Sequence, residues 1–567
     1  MGKSEAAKQP LERWLAAFEE ALKKGDIKAA SALFADECYW RDLVAFTWNI
    51  RTCEGRDEIK AMLAATLAAT KPSAFSLKGF SENEGWFTFE TAVGRGIGHL
   101  RLNGGKCWTL LTTLQELKGF EEQRSTGKET PSDNPYVIIV GGGQGGIALA
   151  ARLKRLGVPA VVLEKNERAG DSWRKRYKSL VLHDPVWYDH MPYIPFPEHW
   201  PVFSPKDRMG DWLEAYVKAM DIDYWGSSKV TNAKYDEAAR EWTVSFLHDN
   251  ANHVLKAKHL VLATGMSGVP YLPSIPGADF KGRMVHSSQY GNGEAWRGKK
   301  CAVVGSGTSA HDICADLVEN GADVTMVQRA PSIVVRSESL MELAWSPLYS
   351  ERAVANGIST EIADLTVASI PHKVLPGLQK PVYEQIEKRD ADLYAGLAKA
   401  GFQYDFGADG SGIHALYLRR GAGYYIEVGA SKMIIEGKIK LKNAAVERIN
   451  ERSLGLSDGT ELPADLVVFA TGYGSMNGWA AQLISQQVAD KVGKVWGLGS
   501  DTKNDPGPWV GELRNMWKPT QQPGLWFHGG NLMQSRHYSL YLALQLKARM
   551  ENIPTPVFFI DPVHHKQ

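Results

Sequence analysis

Cysteine is scarce in this chain of 567 residues. Cys38, Cys53, Cys107, Cys301 and Cys314 are scattered, odd in number and never spaced as C-x-x-C. That excludes a disulfide framework, and reduced thiols in a cytoplasmic setting are expected. No metal ligand set is expected either. Charge of one sign is missing as well: the net charge is +1, which gives no reason to expect nucleic acid or an anionic membrane as a partner. No apolar run approaches the length of a membrane span, and the Glu- and Lys-rich N-terminus has no apolar secretory core. What remains is ordinary globular composition, 44% hydrophobic and 23% charged, enough for about two to four domains.

The most informative stretch begins at Tyr136. An apolar run to Val140 is followed by Gly141-Gly-Gly143-Gln144-Gly-Gly146, an amphipathic helical segment from Ile147, Gly157, and a second apolar run from Ala160 to Leu163 that ends on Glu164. This is strand, G-x-G-x-x-G turn, helix and strand without a gap. Gly141 permits the tight turn, Gly143 lets backbone approach a pyrophosphate, and Gly146 lets helix pack on strand. The helix N-terminus presents its positive end to the phosphates, and Glu164 stands where a carboxylate takes ribose hydroxyls. The unit suits FAD.

A second copy follows. Cys301 to Val304 is the strand, Gly305-Ser-Gly307-Thr308-Ser309-Ala310 a G-x-G-x-x-A turn, and residues 311–318 the helix. Glu164 lies 23 residues after Gly141; 23 after Gly305 is Gln328, with Arg329 next. A carboxylate would repel a 2′-phosphate, whereas an arginine accommodates one, so this unit suits NADPH. With two nucleotide units and no closely spaced cysteine pair, reduction of disulfides is not expected, and dioxygen becomes the natural electron acceptor.

Residues 1–125 read as a separate α+β domain. Leu11, Trp14, Leu15, Phe18 and Leu22 keep helical spacing to Gly25, and Asp26 can cap a short helix over 27–34. Strands are expected at 37–42, 46–51, 86–93, 97–102 and 107–117, with a helix at 56–69 and a hairpin turn at Asn103-Gly104. The stretch Leu33-Phe-Ala-Asp-Glu-Cys-Tyr-Trp-Arg-Asp42 resembles the SnoaL and ketosteroid-isomerase-like cone family. That resemblance implies an apolar pocket, used either for catalysis or for dimerisation. Asp42 reads more readily as a strand-end carboxylate than as a pocket base. Trp86, Thr88, Trp108 and Thr112 are placed on the outer face of the sheet, to dock on the rest of the chain or to form a homodimer. Residues 126–134 read as a polar linker.

Beyond Glu164 come Gly170-Asp-Ser-Trp173, Leu182-His183-Asp184-Pro185, Pro195-Phe-Pro-Glu198 and Ser204-Pro-Lys206. Proline density forbids regular structure, and a long ordered loop here is a natural cover for a flavin ring. The segment resembles the single-component flavin-containing monooxygenases, especially the YUCCA-type members. Phe280-Lys-Gly282-Arg-Met-Val-His286-Ser-Ser-Gln-Tyr290 looks like the fingerprint of that family in its Tyr-ending form, where Baeyer–Villiger relatives end in Trp. Leu260-Val-Leu-Ala263-Thr264-Gly265 and Phe469-Ala-Thr471-Gly472-Tyr473 add further family motifs, and the chain ends in a loop to Asn531 and a helix over 534–550.

The fold expected is α/β: two Rossmann-type domains after the cone, FAD on 135–290 and 445–567, NADPH on 291–444 with an aromatic-rich insertion that contains a helix over 381–399. The second Ala-Thr-Gly strand, at Ala464 to Tyr473, is assigned to the FAD domain. The resemblance implies that NADPH reduces FAD, that reduced flavin adds dioxygen at its 4a carbon, and that the resulting (hydro)peroxide transfers one oxygen atom to a small organic substrate. It implies His286, Tyr290 and His183 as catalytic residues. As cofactor residues it implies Gly141, Gly143, Gln144, Gly146, Glu164, Trp173, His183, Asp184, Val230, Ala263, Thr264 and Gly265 in the first unit, Gly305, Gly307, Thr308, Ser309, Gln328 and Arg329 in the second, and Thr471, Gly472 and Asn531 in the returning chain. Amine-oxidising members place an Asn where this chain has His183-Asp184, which leans toward carbonyl or 2-oxo acid chemistry. A Baeyer–Villiger enzyme acting on ketones and a non-catalytic nucleotide-dependent sensor are the alternatives.

Overall fold

The computed structural model describes residues 2–124, 135–266 and 268–563. The linker expected at 126–134 lies outside them.

The N-terminal part is a helix Gly2–Lys24, two shorter helices and one six-stranded sheet. The strands run in the order Ile50–Glu54, Phe34–Leu43, Lys106–Leu117, Gly94–Asn103, Glu84–Glu90, Ser73–Ser81. Asp26 caps the second helix as its position suggests, accepting from Ala29 N at 2.8 Å. The strand Ser73–Ser81 was not expected; Ser, Lys and Gly dilute its apolar alternation, and its pattern of burial is that of a half-exposed edge. The apolar pocket expected of a cone is occupied by the chain's own aromatics. Trp14, Phe18, Phe34, Trp40 and Phe46 meet ring to ring, and Phe87 and Phe89 lie over Gly98 and Gly96, where a β-carbon would collide with them. Thr112, placed outside by its spacing, points inward: it accepts from Trp40 Nε1 and donates to Asp42. Asp42 also accepts from the Phe46 and Thr47 amides and the Thr47 hydroxyl, so both its oxygens are engaged inside the fold.

Two parallel sheets carry the rest. The first has the order Leu525–Phe527, His259–Leu262, Val137–Val140, Ala160–Leu163, Tyr224–Trp225. The second has the order Arg283–His286, Leu466–Phe469, Lys300–Val304, Asp323–Gln328, Ile439–Asn443. Their central strands are continuous apolar runs buried on both faces, as parallel sheets require. Two expected boundaries are corrected here. Leu466–Phe469 pairs with Lys300–Val304 and with Arg283–His286, so both strands belong to the second sheet, not to the FAD part. The two Ala-Thr-Gly strands look alike in sequence, and only pairing tells which sheet each joins. The insertion helix expected over 381–399 is two helices, Leu375–Arg389 and Ala391–Ala400, broken at the buried Asp390.

The last helix, Leu532–Met550, is buried along nearly its whole length. One side packs on the helix Gln144–Arg155 and another on the strand Lys106–Leu117, so a single apolar core joins the N-terminal part to the first parallel sheet. A helix buried all round is a centrepiece rather than a cover.

Candidate functional site

The two turns have the same construction. Gly141 adopts φ +107° and Gly305 φ +127°, conformations that side chains resist. A β-carbon on Gly141 would collide with the Ala263 carbonyl, and one on Gly305 with the Ala470 carbonyl. Each turn is thus packed against the Ala-Thr-Gly turn of the neighbouring strand. The second glycine is different in kind. Around Gly143 the nearest atom to an added methyl is Ser172 Oγ at 3.6 Å, and around Gly307 the Tyr424 carbonyl at 3.6 Å. Both lie just before a helix N-terminus, Gln144–Arg155 or Thr308–Glu319, whose first amides are unsatisfied by the helix itself. Open space, free amides and a positive helix end fit a pyrophosphate at each turn. Gly146 packs on the Gly141 carbonyl, as its place in the motif requires.

Glu164 closes the first turn. Its carboxylate accepts from Gly142 N at 2.7 Å and from Asn166 N and Nδ2 at 2.8 and 2.6 Å. Val230 is buried on the adjoining hairpin, where Ser228 N bonds the Glu164 carbonyl at 2.7 Å. The Thr264 hydroxyl oxygen is buried with no hydrogen-bond partner among the described residues, and Gly265 has φ +95°. An orphaned hydroxyl beside the first turn is the signature of a group that a bound cofactor would satisfy. Gln144 links the turn to its surroundings, accepting from Trp173 Nε1 at 3.3 Å and donating to the Gly530 carbonyl at 3.4 Å. These residues fit FAD.

In the second unit Thr308 Oγ1 donates to the Tyr424 carbonyl at 2.8 Å, and Ser309 lies half-buried in the first helical turn. Gln328 needs correction as a cofactor contact. It is fully buried, its Nε2 donates to the Gln403 carbonyl and its Oε1 accepts from Gln403 N, both at 2.8 Å. Its amide is spent holding the chain of the insertion. Arg329, one residue on, is exposed and has no hydrogen bond or ion pair among the described residues. That leaves a free guanidinium at the end of the strand, fitted to a 2′-phosphate.

His286 and Tyr290 are placed differently from a catalytic pair. His286 is 1% exposed; Nε2 bonds the Gly472 carbonyl at 3.0 Å and Nδ1 the Ser288 hydroxyl at 2.9 Å, and burial holds its pKa below the usual imidazole range. It ties the strand Arg283–His286 to the turn that contains Thr471, whose hydroxyl donates to the Tyr271 carbonyl at 2.6 Å. Tyr290 is 2% exposed and donates to Asp316 at 2.7 Å. Neither has a free polar atom to offer a reacting group.

The proline-rich loop holds itself. Leu182 N bonds the Ser204 carbonyl, Val186 N the Val202 carbonyl, and Lys206 N the Leu180 carbonyl. His183, Nε2 3.8 Å from Asp184 Oδ1, faces the ring of Tyr424. Burial pushes the Asp184 carboxyl above its ordinary pKa, and His183 only partly offsets this. Asn531 caps the last helix through Gln534 N at 2.9 Å and donates to the Tyr188 hydroxyl at 2.9 Å; the Tyr417 hydroxyl donates to Gln534 Oε1 at 3.1 Å. Tyr188, Gln534, Arg536 and Asp364 were not singled out from the sequence. The available signal was Arg536, the one Arg or Lys among residues 532–546 of a helix that is otherwise largely apolar there.

A pair of parallel-sheet units with matched phosphate turns defines a two-nucleotide oxidoreductase. The family model for pyridine nucleotide-disulphide oxidoreductases matches residues 138–374. All five cysteines are buried and free, which gives no redox pair for disulfide chemistry. The rice (Oryza sativa subsp. japonica) indole-3-pyruvate monooxygenase YUCCA1 is 31% identical over 369 residues, 63% of this chain and 82% of that protein. The probable indole-3-pyruvate monooxygenase YUCCA9 of Arabidopsis thaliana is 29% identical over 63% of this chain and 77% of its own length. Among solved structures, OTEMO in complex with FAD and NADP superimposes with a TM-score of 0.52 at 18% identity, over 74% of this chain and 86% of that one. Open cyclohexanone monooxygenase gives 0.51 at 16% identity, over 73% and 88%. The chain belongs to the single-component flavin-dependent monooxygenases.

Proposed function

We propose that the protein is an FAD- and NADPH-dependent monooxygenase that places one atom of dioxygen into a small carbonyl-bearing substrate of the 2-oxo acid class. The observation that carries the cofactor assignment is the repeated turn: two open second glycines at two helix N-termini, one beside a carboxylate and one beside a free arginine. FAD, when bound, would supply the redox chemistry between NADPH and dioxygen. The chain's own residues do the rest. Gly143 and the first amides of Gln144–Arg155 hold the pyrophosphate, and Glu164 fixes the turn. Arg329 selects the phosphorylated nicotinamide coenzyme. The self-bonded loop and Asn531 exclude water from the reacting centre. His183 and Asp184, with no Asn between Leu180 and Pro185, favour a carbonyl substrate over an amine, and the named activity of the plant relatives supports the same class.

The test is product, not coenzyme consumption. Purified protein given NADPH, labelled dioxygen and a panel of amines, thioethers, ketones and 2-oxo acids is expected to label a product of the 2-oxo acids. Hydrogen peroxide as the sole product with every compound would refute an oxygenase. Label entering only the ketone products would transfer the assignment to Baeyer–Villiger chemistry.

Residues 1–125 serve this body as a structural unit joined through 126–134, rather than as a second catalyst. The last helix packs on the strand Lys106–Leu117, where Gln115 Nε2 donates to the Tyr541 hydroxyl at 3.4 Å, which favours docking on the rest of the chain over a homodimer; sizing at two concentrations tests this. Five buried free thiols favour a reducing compartment. Among the described residues no helix is long and apolar enough to cross a membrane.

A further inference from the structure

Along the strand Phe34–Leu43, Trp40 and Asp42 point into the N-terminal unit, so the two-residue period sends Arg41 out through the opposite face. It does not reach solvent. Arg41 is 1% exposed, and its guanidinium is shared among three elements of the monooxygenase body. Nε and Nη2 grip Glu512 Oε1 and Oε2 at 2.7 and 2.8 Å, Nη2 also donates to the Tyr538 hydroxyl at 3.0 Å, and Nη1 donates to the Ala368 carbonyl at 2.9 Å.

Two of those contacts lead to the site. Ala368 ends the helix Thr360–Ala368, and one turn earlier that helix carries Asp364. Asp364 receives Arg536 Nε and Nη2 at 2.9 and 2.7 Å, and Arg536 lies two residues before Tyr538 on the last helix. Arg536 Nη1 then holds the Tyr188 and His190 carbonyls at 2.8 and 2.5 Å. Those carbonyls belong to the loop that carries His183 and Asp184. Two buried arginines, one from each unit, therefore clamp the same pair of helices, and the second also grips the loop.

We propose that Arg41 is a positioning residue for oxygen transfer: through Ala368 and Tyr538 it fixes the helix pair by which Arg536 holds the loop 183–190 in place. The N-terminal unit is then a built-in clamp on the active site. Its importance for coupling rests on the monooxygenase reading; its hold on the loop does not. When the loop is loosened, water reaches the reduced site and electrons are lost as NADPH + H⁺ + O₂ → NADP⁺ + H₂O₂.

The test uses the full-length holoenzyme with Arg41→Lys, Arg536→Lys, the double variant, and Arg95→Ala as an exposed control. Amide hydrogen exchange over residues 182–190 is read first, because it needs no substrate. It should rise in each Lys variant and stay at wild type in Arg95→Ala. With a coupled substrate, flavin content and the rate of flavin reduction should hold within about twofold, while the peroxide share of NADPH oxidation rises roughly fivefold or more; the double variant should be no worse than the worse single, the mark of a shared network. Tyr538→Phe, which removes one acceptor with little change in volume, should move exchange in the same direction and covers the case in which Arg41→Lys does not fold. Loop exchange unchanged in Arg41→Lys and Tyr538→Phe overturns the proposal whatever the activity, as does a peroxide share left at wild type with only the melting temperature lowered. A wild type that oxygenates nothing would refute the enzyme reading and leave the exchange result to decide the clamp.

Discussion

Gly141 and Ala263 are packed so closely that a β-carbon on the glycine would overlap the alanine carbonyl, and Gly305 stands in the same relation to Ala470. Each phosphate turn is braced by the Ala-Thr-Gly turn of its neighbouring strand. Gly143, two residues after Gly141, touches nothing of the kind.

This difference separates two alanine variants. Gly143→Ala should fold normally and lose FAD, since its methyl enters the space left for the pyrophosphate. Gly141→Ala should lose FAD and also stability, because both the positive φ and the Ala263 carbonyl oppose the side chain. The flavin-to-protein absorbance ratio and the melting temperature of the flavin-free protein measure the two effects. Equal melting temperatures for the two variants would contradict the assignment.

Arg329→Ala should raise KM for NADPH with little effect on NADH. A charge-assisted phosphate contact is worth about 1.5–3 kcal/mol, roughly ten- to a hundredfold. Equal losses with both coenzymes would make Arg329 structural.

Glu512→Gln should leave Arg41 buried without a counter-charge, at a cost of about 3–5 kcal/mol. Burial works to raise the Glu512 pKa, but Arg41 and His372, whose Nε2 lies 3.4 Å from Glu512 Oε2, outweigh it and hold the carboxyl well below its ordinary value. Its contribution is therefore present above the ordinary carboxylate pKa and is lost as pH falls through the depressed one. Denaturant melts near neutral pH should show the loss; an unchanged midpoint would mean that the two units are not clamped there.

Asp42 behaves in the opposite sense. Burial pushes its pKa up to about 6, against the hydrogen bonds from Thr112, Thr47 and Phe46. The folded state then keeps a proton that the unfolded chain has released, so this contribution to stability declines as pH rises from about 4 to about 6 and is level above. Asp42→Asn should remove that slope while leaving turnover per folded flavin nearly unchanged. Abolished product formation with intact flavin reduction would instead make the N-terminal unit a second active site.

How much of this was readable in the chain differs by residue. Both phosphate turns, the acid at Glu164 and the free cation at Arg329 were visible because they depend on local geometry: a glycine at positive φ, a helix start, a charge at a strand end. Gln328, one residue from Arg329, was misread because its partner Gln403 is 75 residues away. Thr112 was put on the wrong face because a strand's two-residue period does not say which face is buried until the sheet has a partner on each side.

The sequence by itself determined the class of chemistry, since two glycine turns and the absence of paired cysteines constrain nucleotide binding and electron acceptor through short-range chemistry alone. Only the tertiary structure decided which sheet the strand Leu466–Phe469 joins, that His286 and Tyr290 are spent on internal hydrogen bonds, and that Arg41 meets Glu512 471 residues away. These outcomes depend on which apolar faces bury one another, and no local pattern encodes the partner of a face.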